Sequence, residues 1–216
     1  MKIVIAGGHG QIALRLARLL SGWGDEVVGL IRNPGHADDV RAAGAEPVEC
    51  DLEQAGPEDL ARAVGGADAV VFAAGAGPGS GEARKETMDL GGAVKLIEAA
   101  KAGGISRYVM VSSMGADPEA PGEGFAAYLR AKGRADDALI ASGLDYTIVR
   151  PGKLTNNPGM GRVKIGRSVG RAEISRDDVA AVLAAVLGRE DTAGLTFEVI
   201  ADGEPIDKAI AAFVES

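Results

Sequence analysis

One pattern limits the fold more than any other. Short runs of apolar, β-branched residues alternate with longer segments whose apolar residues recur every three or four positions. The runs KIVIA (Lys2–Ala6), EVVGLI (Glu26–Ile31), Glu46–Cys50, AVVFAA (Ala69–Ala74), RYVMVS (Arg107–Ser112) and DYTIVR (Asp145–Arg150) read as strands. Between them, Gln11–Leu20, Ala37–Ala43, Glu58–Val64, Glu82–Ala102 and most of Glu123–Ser142 read as helices. A helix between two strands returns the chain to the end it left, so the strands are parallel and the crossovers right-handed. Parallel strands covered on both faces are apolar at every position, not at every second one. The sequence therefore predicts an α/β fold: a doubly wound, mostly parallel sheet.

The chain of 216 residues suits a single domain, 1–216. Its core spans 1–152, and 153–216 forms a smaller, less regular C-terminal portion on the substrate side. There Arg162–Ile165 reads as one strand of a hairpin, Ser175–Leu187 as a helix capped by serine, Leu195–Ile200 as a strand and Pro205–Val214 as a last helix. Net charge is −8, which argues against nucleic acid or an anionic membrane as partner. One cysteine excludes an internal disulfide, and no Cys/His grouping has metal-ligand spacing, so no metal is expected. The two histidines, His9 and His36, lie in a glycine turn and a polar loop, and no G-x-S-x-G elbow is present. No signal peptide or membrane-length apolar run is visible, which points to a cytoplasmic protein. A small-molecule substrate and a monomer or small homo-oligomer are expected.

The turn after the first strand carries the first chemistry. Gly7, Gly8, Gly10 and Ala13 fit G-x-G-x-x-A through Gly8 and G-x-x-G-x-x-A through Gly7. One glycine permits the tight turn, another lets the main chain approach a pyrophosphate, and Ala13 lets the helix pack close to the sheet. The helix N-terminus adds free N–H groups and partial positive charge. A dinucleotide pyrophosphate is thus expected on Gly7, Gly8, His9, Gly10, Gln11 and Ile12. Strand two ends at Ile31-Arg32-Asn33, and no acid follows until Asp38. An acid there would favour NAD(H), whereas Arg32 can pair with a 2′-phosphate. NADP(H) is the preferred cofactor and NAD(H) remains possible. Asp51-Leu52, at the end of strand three, can hold the adenine edge; Asp51 can equally cap the next segment.

A second constellation lies farther on. Strand five ends in Ser112-Ser113, and Tyr128 and Lys132 are four residues apart on a helix, hence on one face. An ammonium beside a phenol favours the tyrosinate. A serine hydroxyl at the C-terminal edge of the sheet can hydrogen-bond a substrate carbonyl, and crevices in such folds lie on that edge. The set Tyr128, Lys132, Ser112 and Ser113 can therefore move a proton at an oxygen.

The stretches IAGGHGQIA, LIRNP, CDLE, VFAAGAG, RYVMVSSMGA, YLRAKGRADDALIASGLDYTIVRPGKLTN and ISRDDVAAVL cover nearly the whole chain. In them the chain resembles the short-chain dehydrogenase/reductase superfamily, in particular its small atypical members. Those are similar to biliverdin reductase B, NmrA-like proteins and truncated nucleotide-sugar epimerase homologues. The resemblance implies that Tyr128 and Lys132 form the YxxxK pair and that Ser112 or Ser113 is the active-site serine. It also implies that Lys132 binds the nicotinamide ribose, that Ala73, Ala74 and Gly75 lie beside the adenine ribose, and that Pro151, Gly152 and Leu154 lie beside the nicotinamide. The strand-four motif is Ala-Ala-Gly where the family usually has Asn first. The expected function is an NADP(H)-dependent oxidoreductase acting on a small carbonyl, quinone or flavin-like acceptor. A non-catalytic NADP(H) sensor and an NAD-dependent epimerase/dehydratase acting on a nucleotide sugar are the alternatives.

Overall fold

The computed structural model describes residues 1–77 and 79–216. Eleven strands and eight α-helices follow one another along the described chain. The first half runs β1 (Lys2–Ala6), α1 (Gln11–Gly22), β2 (Glu26–Ile31), α2 (Ala37–Ala42), β3 (Glu46–Glu49), α3 (Pro57–Val64) and β4 (Ala69–Phe72). Next come α4 (Glu82–Arg84), a π-helix (Lys85–Gly92), α5 (Ala93–Ala102), β5 (Arg107–Val111), α6 (Phe125–Ile140) and β6 (Asp145–Pro151). The last third holds β7 (Lys153–Thr155), β8 (Arg162–Gly166), β9 (Glu173–Ser175), α7 (Arg176–Leu187), β10 (Leu195–Ala201), β11 (Glu204–Pro205) and α8 (Ile206–Val214).

Nine strands form one sheet in the order β11-β8-β10-β6-β5-β4-β1-β2-β3. From β3 to β6 and on to β10 every pairing is parallel. This is the doubly wound α/β sheet read from the alternation. Its pleat explains the uninterrupted apolar runs. In β1, Ile3 and Ile5 join a core with Leu16 and Leu20 of α1 and Leu183 of α7. Val4 and Ala6 point the other way, into a core with Leu60 of α3, Leu96 of α5 and Leu139 of α6.

The structure departs from the sequence reading in four places. The expected helix Glu82–Ala102 is interrupted by the π-helix, whose wide turns carry the buried Asp89 to the Ala76 N–H at 3.1 Å. Strand β4 stops at Phe72, two residues early, because the chain turns at Ala73-Ala74 to pack on the glycine loop. Arg162–Gly166 is no hairpin strand. It lies between β10 and β11 and is antiparallel to both, so its partners come from more than thirty positions downstream. Strands β7 and β9, unforeseen, form a separate parallel pair just past the end of β6. Helix α7 follows its expected cap, with the Ser175 hydroxyl accepting from Asp178 N at 2.9 Å.

Candidate functional site

The glycine turn joins β1 to α1 at the C-terminal edge of the sheet. Gly7 has φ +80°, and a Cβ there would lie 2.7 Å from Ala74 Cα. A Cβ on Gly8 would lie 2.7 Å from Gly29 Cα in β2, and Gly8 N donates to Leu30 O at 2.9 Å. Both glycines are thus required by the chain's own packing, before any ligand is considered. Gly10 caps α1 without a side-chain hydrogen bond, and the helix carries no acid in its first turn. Among the described residues no side-chain carboxylate accepts from the opening N–H groups of α1, at Gln11 and Ile12. Gly7, His9 and Gly10 form one side of a cleft of about 340 Å³. A bare main chain beneath an uncapped helix end fits an anionic diphosphate.

Ala73, Ala74 and Gly75 line the same cleft, as do Arg32 from the end of β2 and Asp51 and Leu52 from beyond β3. Arg32 is half exposed, with Nη1 3.5 Å from Glu53 Oε2. Glu53 also accepts from the Thr87 hydroxyl at 2.6 Å and from Arg84 Nε at 3.2 Å. The Thr87 hydrogen bond does most to hold the Glu53 carboxyl below its ordinary range; Arg84 and Arg32 act in the same direction and burial opposes them. Reading downstream from strand two for an acid overlooks Glu53, which arrives from a different loop. The Asn33 side chain is committed to its own turn, accepting from Gly35 N at 2.9 Å. The Asp51 carboxylate likewise caps its own turn, accepting from Glu53 N at 3.0 Å.

The second constellation lies at the ends of β5 and β6 and on α6, outside that 340 Å³ cleft. Lys132 is buried and donates from Nζ to Val111 O at 3.0 Å. Its ammonium lies 3.5 Å from Asp89 Oδ1, 5.4 Å from the Phe72 ring centre and 6.0 Å from that of Tyr128. Tyr128 is half-buried, and among the described residues nothing hydrogen-bonds its hydroxyl. Phe125, two-thirds exposed, tilts against Tyr128 with ring centres 5.5 Å apart.

The two serines separate. Ser112 is buried, and its hydroxyl donates to Asp136 Oδ2 at 2.8 Å. The same oxygen accepts from Arg150 Nε and Nη2, each at 2.9 Å. Burial pushes the Asp136 carboxyl up, against the pull of Ser112 and Arg150. Ser113 is half-buried, and among the described residues its hydroxyl makes only a 3.3 Å contact, with the adjacent Met114 carbonyl. Met114 N donates to Pro151 O at 3.1 Å, so Ser113 sits beside Pro151-Gly152. A Cβ on Gly152 would collide with the Ala172 carbonyl, and Leu154 lies half-buried in β7. Asp89 and Asp136 escaped the sequence reading. The available signal was an acid inside an otherwise buried helical stripe; Asp136 stands four residues beyond Lys132.

No helix among the described residues is long and apolar enough to cross a membrane. A Bacillus subtilis protein described as an uncharacterized sugar epimerase, YhfK, is 41% identical over 212 residues, covering 97% of this chain and 99% of the relative. A solved Bacillus halodurans structure named for the NAD-dependent epimerase/dehydratases is 39% identical, with a TM-score of 0.92 over 99% of this chain and 100% of the other. The structure of a Lactococcus lactis protein described as the oxidoreductase ylbE is 28% identical, with a TM-score of 0.88 over 100% and 98%. A family model described as NAD(P)H-binding matches residues 7–190, from the glycine turn to beyond α7, and the chain belongs to that family.

Proposed function

We propose that the chain is an NADP(H)-dependent oxidoreductase acting on a small carbonyl, quinone or flavin-like acceptor. One observation carries the reading. A half-buried tyrosine whose hydroxyl has no partner among the described residues lies one helical turn from a buried lysine, at the sheet edge where such folds bind ligands. The description of the Lactococcus relative as an oxidoreductase agrees with it.

In this reading Gly7, Gly8, His9, Gly10, Gln11 and Ile12 hold the pyrophosphate. Arg32 holds the 2′-phosphate, and Asp51, Leu52, Ala73, Ala74 and Gly75 surround the adenosine. Pro151, Gly152 and Leu154 border the nicotinamide, whose chemistry is hydride transfer. Tyr128 donates its phenolic proton to the acceptor oxygen as the bond order at that oxygen falls. The Lys132 ammonium stabilises the phenolate left behind, and Asp89 and the Val111 carbonyl hold that ammonium in place. Ser113 donates a hydrogen bond to the same acceptor oxygen. Ser112 serves as a brace, because its hydroxyl already belongs to Asp136.

Calorimetry with NADPH and NADH, joined to NADPH consumption with a panel of quinones, flavins and aldehydes, tests the proposal. Tighter binding of NADPH and consumption with at least one acceptor are expected. Binding without consumption on any acceptor would move the chain to the sensor reading. Absence of binding would remove both. Arg32→Glu sharpens the cofactor assignment. It replaces a charge-assisted contact by repulsion beside Glu53, so NADP affinity should fall about 100-fold and NAD affinity less than three-fold. Equal losses for both nucleotides would refute the 2′-phosphate role.

A further inference from the structure

Phe125, Tyr128 and Lys132 follow one another at helical spacing on one face of α6. Exposure falls along that stripe, from 67% at Phe125 through the half-buried Tyr128 to 3% at Lys132. Its inner end is core, and its outer end opens to water. Among the described residues Tyr128 is the one aromatic ring that Phe125 meets, with planes 34° apart. The backbone at Phe125 is pinned. Gly124, which precedes α6, has φ +64°, and both its main-chain groups are taken. Its N donates to Glu82 Oε1 at 3.1 Å, and its O accepts from Lys85 Nζ at 3.2 Å. The loop before it is drawn back as well, Arg130 Nη1 donating to Ala120 O and to Gly122 O, each at 2.8 Å. The chain thus holds a phenylalanine in water beside Tyr128, and its own loop is tied down instead of closing over the ring.

We infer that Phe125 is a specificity-determining residue that stacks on the ring of a quinone, whose oxygen lies against the Tyr128 hydroxyl. The inference rests on the oxidoreductase reading above and narrows its acceptor classes to one. A quinone carries its reducible oxygen directly on a flat conjugated ring. An oxygen at Tyr128 therefore brings that ring within reach of an aromatic neighbour whose centre is 5.5 Å from that of Tyr128. An aliphatic carbonyl has no face to offer Phe125. A flavin takes up hydrogen at ring nitrogens, whereas a tyrosine and a serine hydroxyl suit an oxygen. In the step, the quinone gains a hydride from the reduced nicotinamide and a proton from Tyr128. Hydroquinone and oxidised dinucleotide leave, and water returns the proton to Tyr128. A second copy of the chain is a poorer occupant of this place. One aromatic side chain buries about 150–250 Å², against about 800 Å² per partner in a stable interface. The loop leading to Phe125 also carries exposed Asp117, Glu119 and Glu123, which a two-fold contact through Phe125 would bring towards their own copies.

Steady-state kinetics with menadione, flavin mononucleotide and butanal, on the unaltered chain, Phe125→Leu and Phe125→Tyr, test this. Leucine keeps apolar bulk and loses the aromatic face; tyrosine keeps the face. With menadione, Phe125→Leu should raise KM about five-fold with kcat within about two-fold, and Phe125→Tyr should return KM to the parent value. KM for butanal should move by less than about two-fold. A leucine variant that matches the parent on menadione, a tyrosine variant that fails to restore it, or equal shifts on menadione and butanal would overturn the role of Phe125. Consumption of NADPH with butanal or the flavin but not with menadione would do the same. So would a leucine variant that falls from dimer to monomer in sedimentation, since the ring would then belong to a second copy. Calorimetry of menadione with the NADP-loaded chain reads the same five-fold ratio without turnover. A chain that consumes NADPH with no acceptor therefore loses the oxidoreductase reading, while the stacking role of Phe125 stands or falls on that binding ratio.

Discussion

Replacing Tyr128 with phenylalanine should lower turnover by about 10²–10⁴-fold while leaving NADPH affinity within about two-fold, which is the range a positioned general acid supplies. The hydroxyl has no hydrogen-bond partner among the described residues, so its removal orphans no buried donor or acceptor. The ring remains to pack against Phe125. The stability should therefore change by the amount typical of a neutral surface change, within about 0.5 kcal/mol. Kinetics, calorimetry and thermal melting on one preparation give all three values. Lys132 offers no comparably clean test. Its ammonium is buried between Val111 O and Asp89, and truncating it would strand a buried carboxylate as well as disturb the site. A Tyr128→Phe variant with unchanged turnover would assign the proton to Ser113 or to water and leave Tyr128 as a packing residue.

What could be read from the amino acids, and what could not, divides by the range of the interaction. The parallel sheet was legible because burial on both faces imprints each strand locally, as in Ile3-Val4-Ile5 with alternate residues in opposite cores. The Ser175 cap of α7 was legible for the same reason, since it acts three residues away. The glycine turn was legible as a turn, but the partners that demand Gly7 and Gly8 are Ala74 and Gly29, and no local pattern names them. The arginine at the end of β2 was legible; Glu53, which neutralises it from another loop, was not. Ser112 and Ser113 were indistinguishable as adjacent letters. Alternation at the strand end turns one toward Asp136 on α6 and leaves the other half-exposed, and only the position of α6 decides which. The strand partners of β8 and the pairing of β7 with β9 are set by contacts distant in sequence, beyond the reach of short-range periodicity.

Asp136→Ala should produce a large loss of stability, and its reason separates structural from chemical roles. Asp136 is fully buried, and one of its oxygens holds the Ser112 hydroxyl and two nitrogens of Arg150. Removing one partner of a buried ion pair costs about 3–5 kcal/mol, because the remaining charge loses its partner but not its desolvation. The Arg150 side chain is 25% exposed and can turn toward water, which places the expected loss near about 3 kcal/mol and the fall in melting point near 10 °C. Asp136→Asn keeps an acceptor for Ser112 and should lose less. Turnover should fall too, because the brace joins the end of β5 to the helix that carries Tyr128 and Lys132, and a shift of about 1 Å at such a joint costs about 10²-fold. The two variants thus carry different signatures: Tyr128→Phe loses rate at constant melting point, whereas Asp136→Ala loses both together. An Asp136→Ala chain that melts with the parent would mean that water replaces the carboxylate beside Ser112 and Arg150, and that the joint between β5, β6 and α6 is held by apolar packing instead.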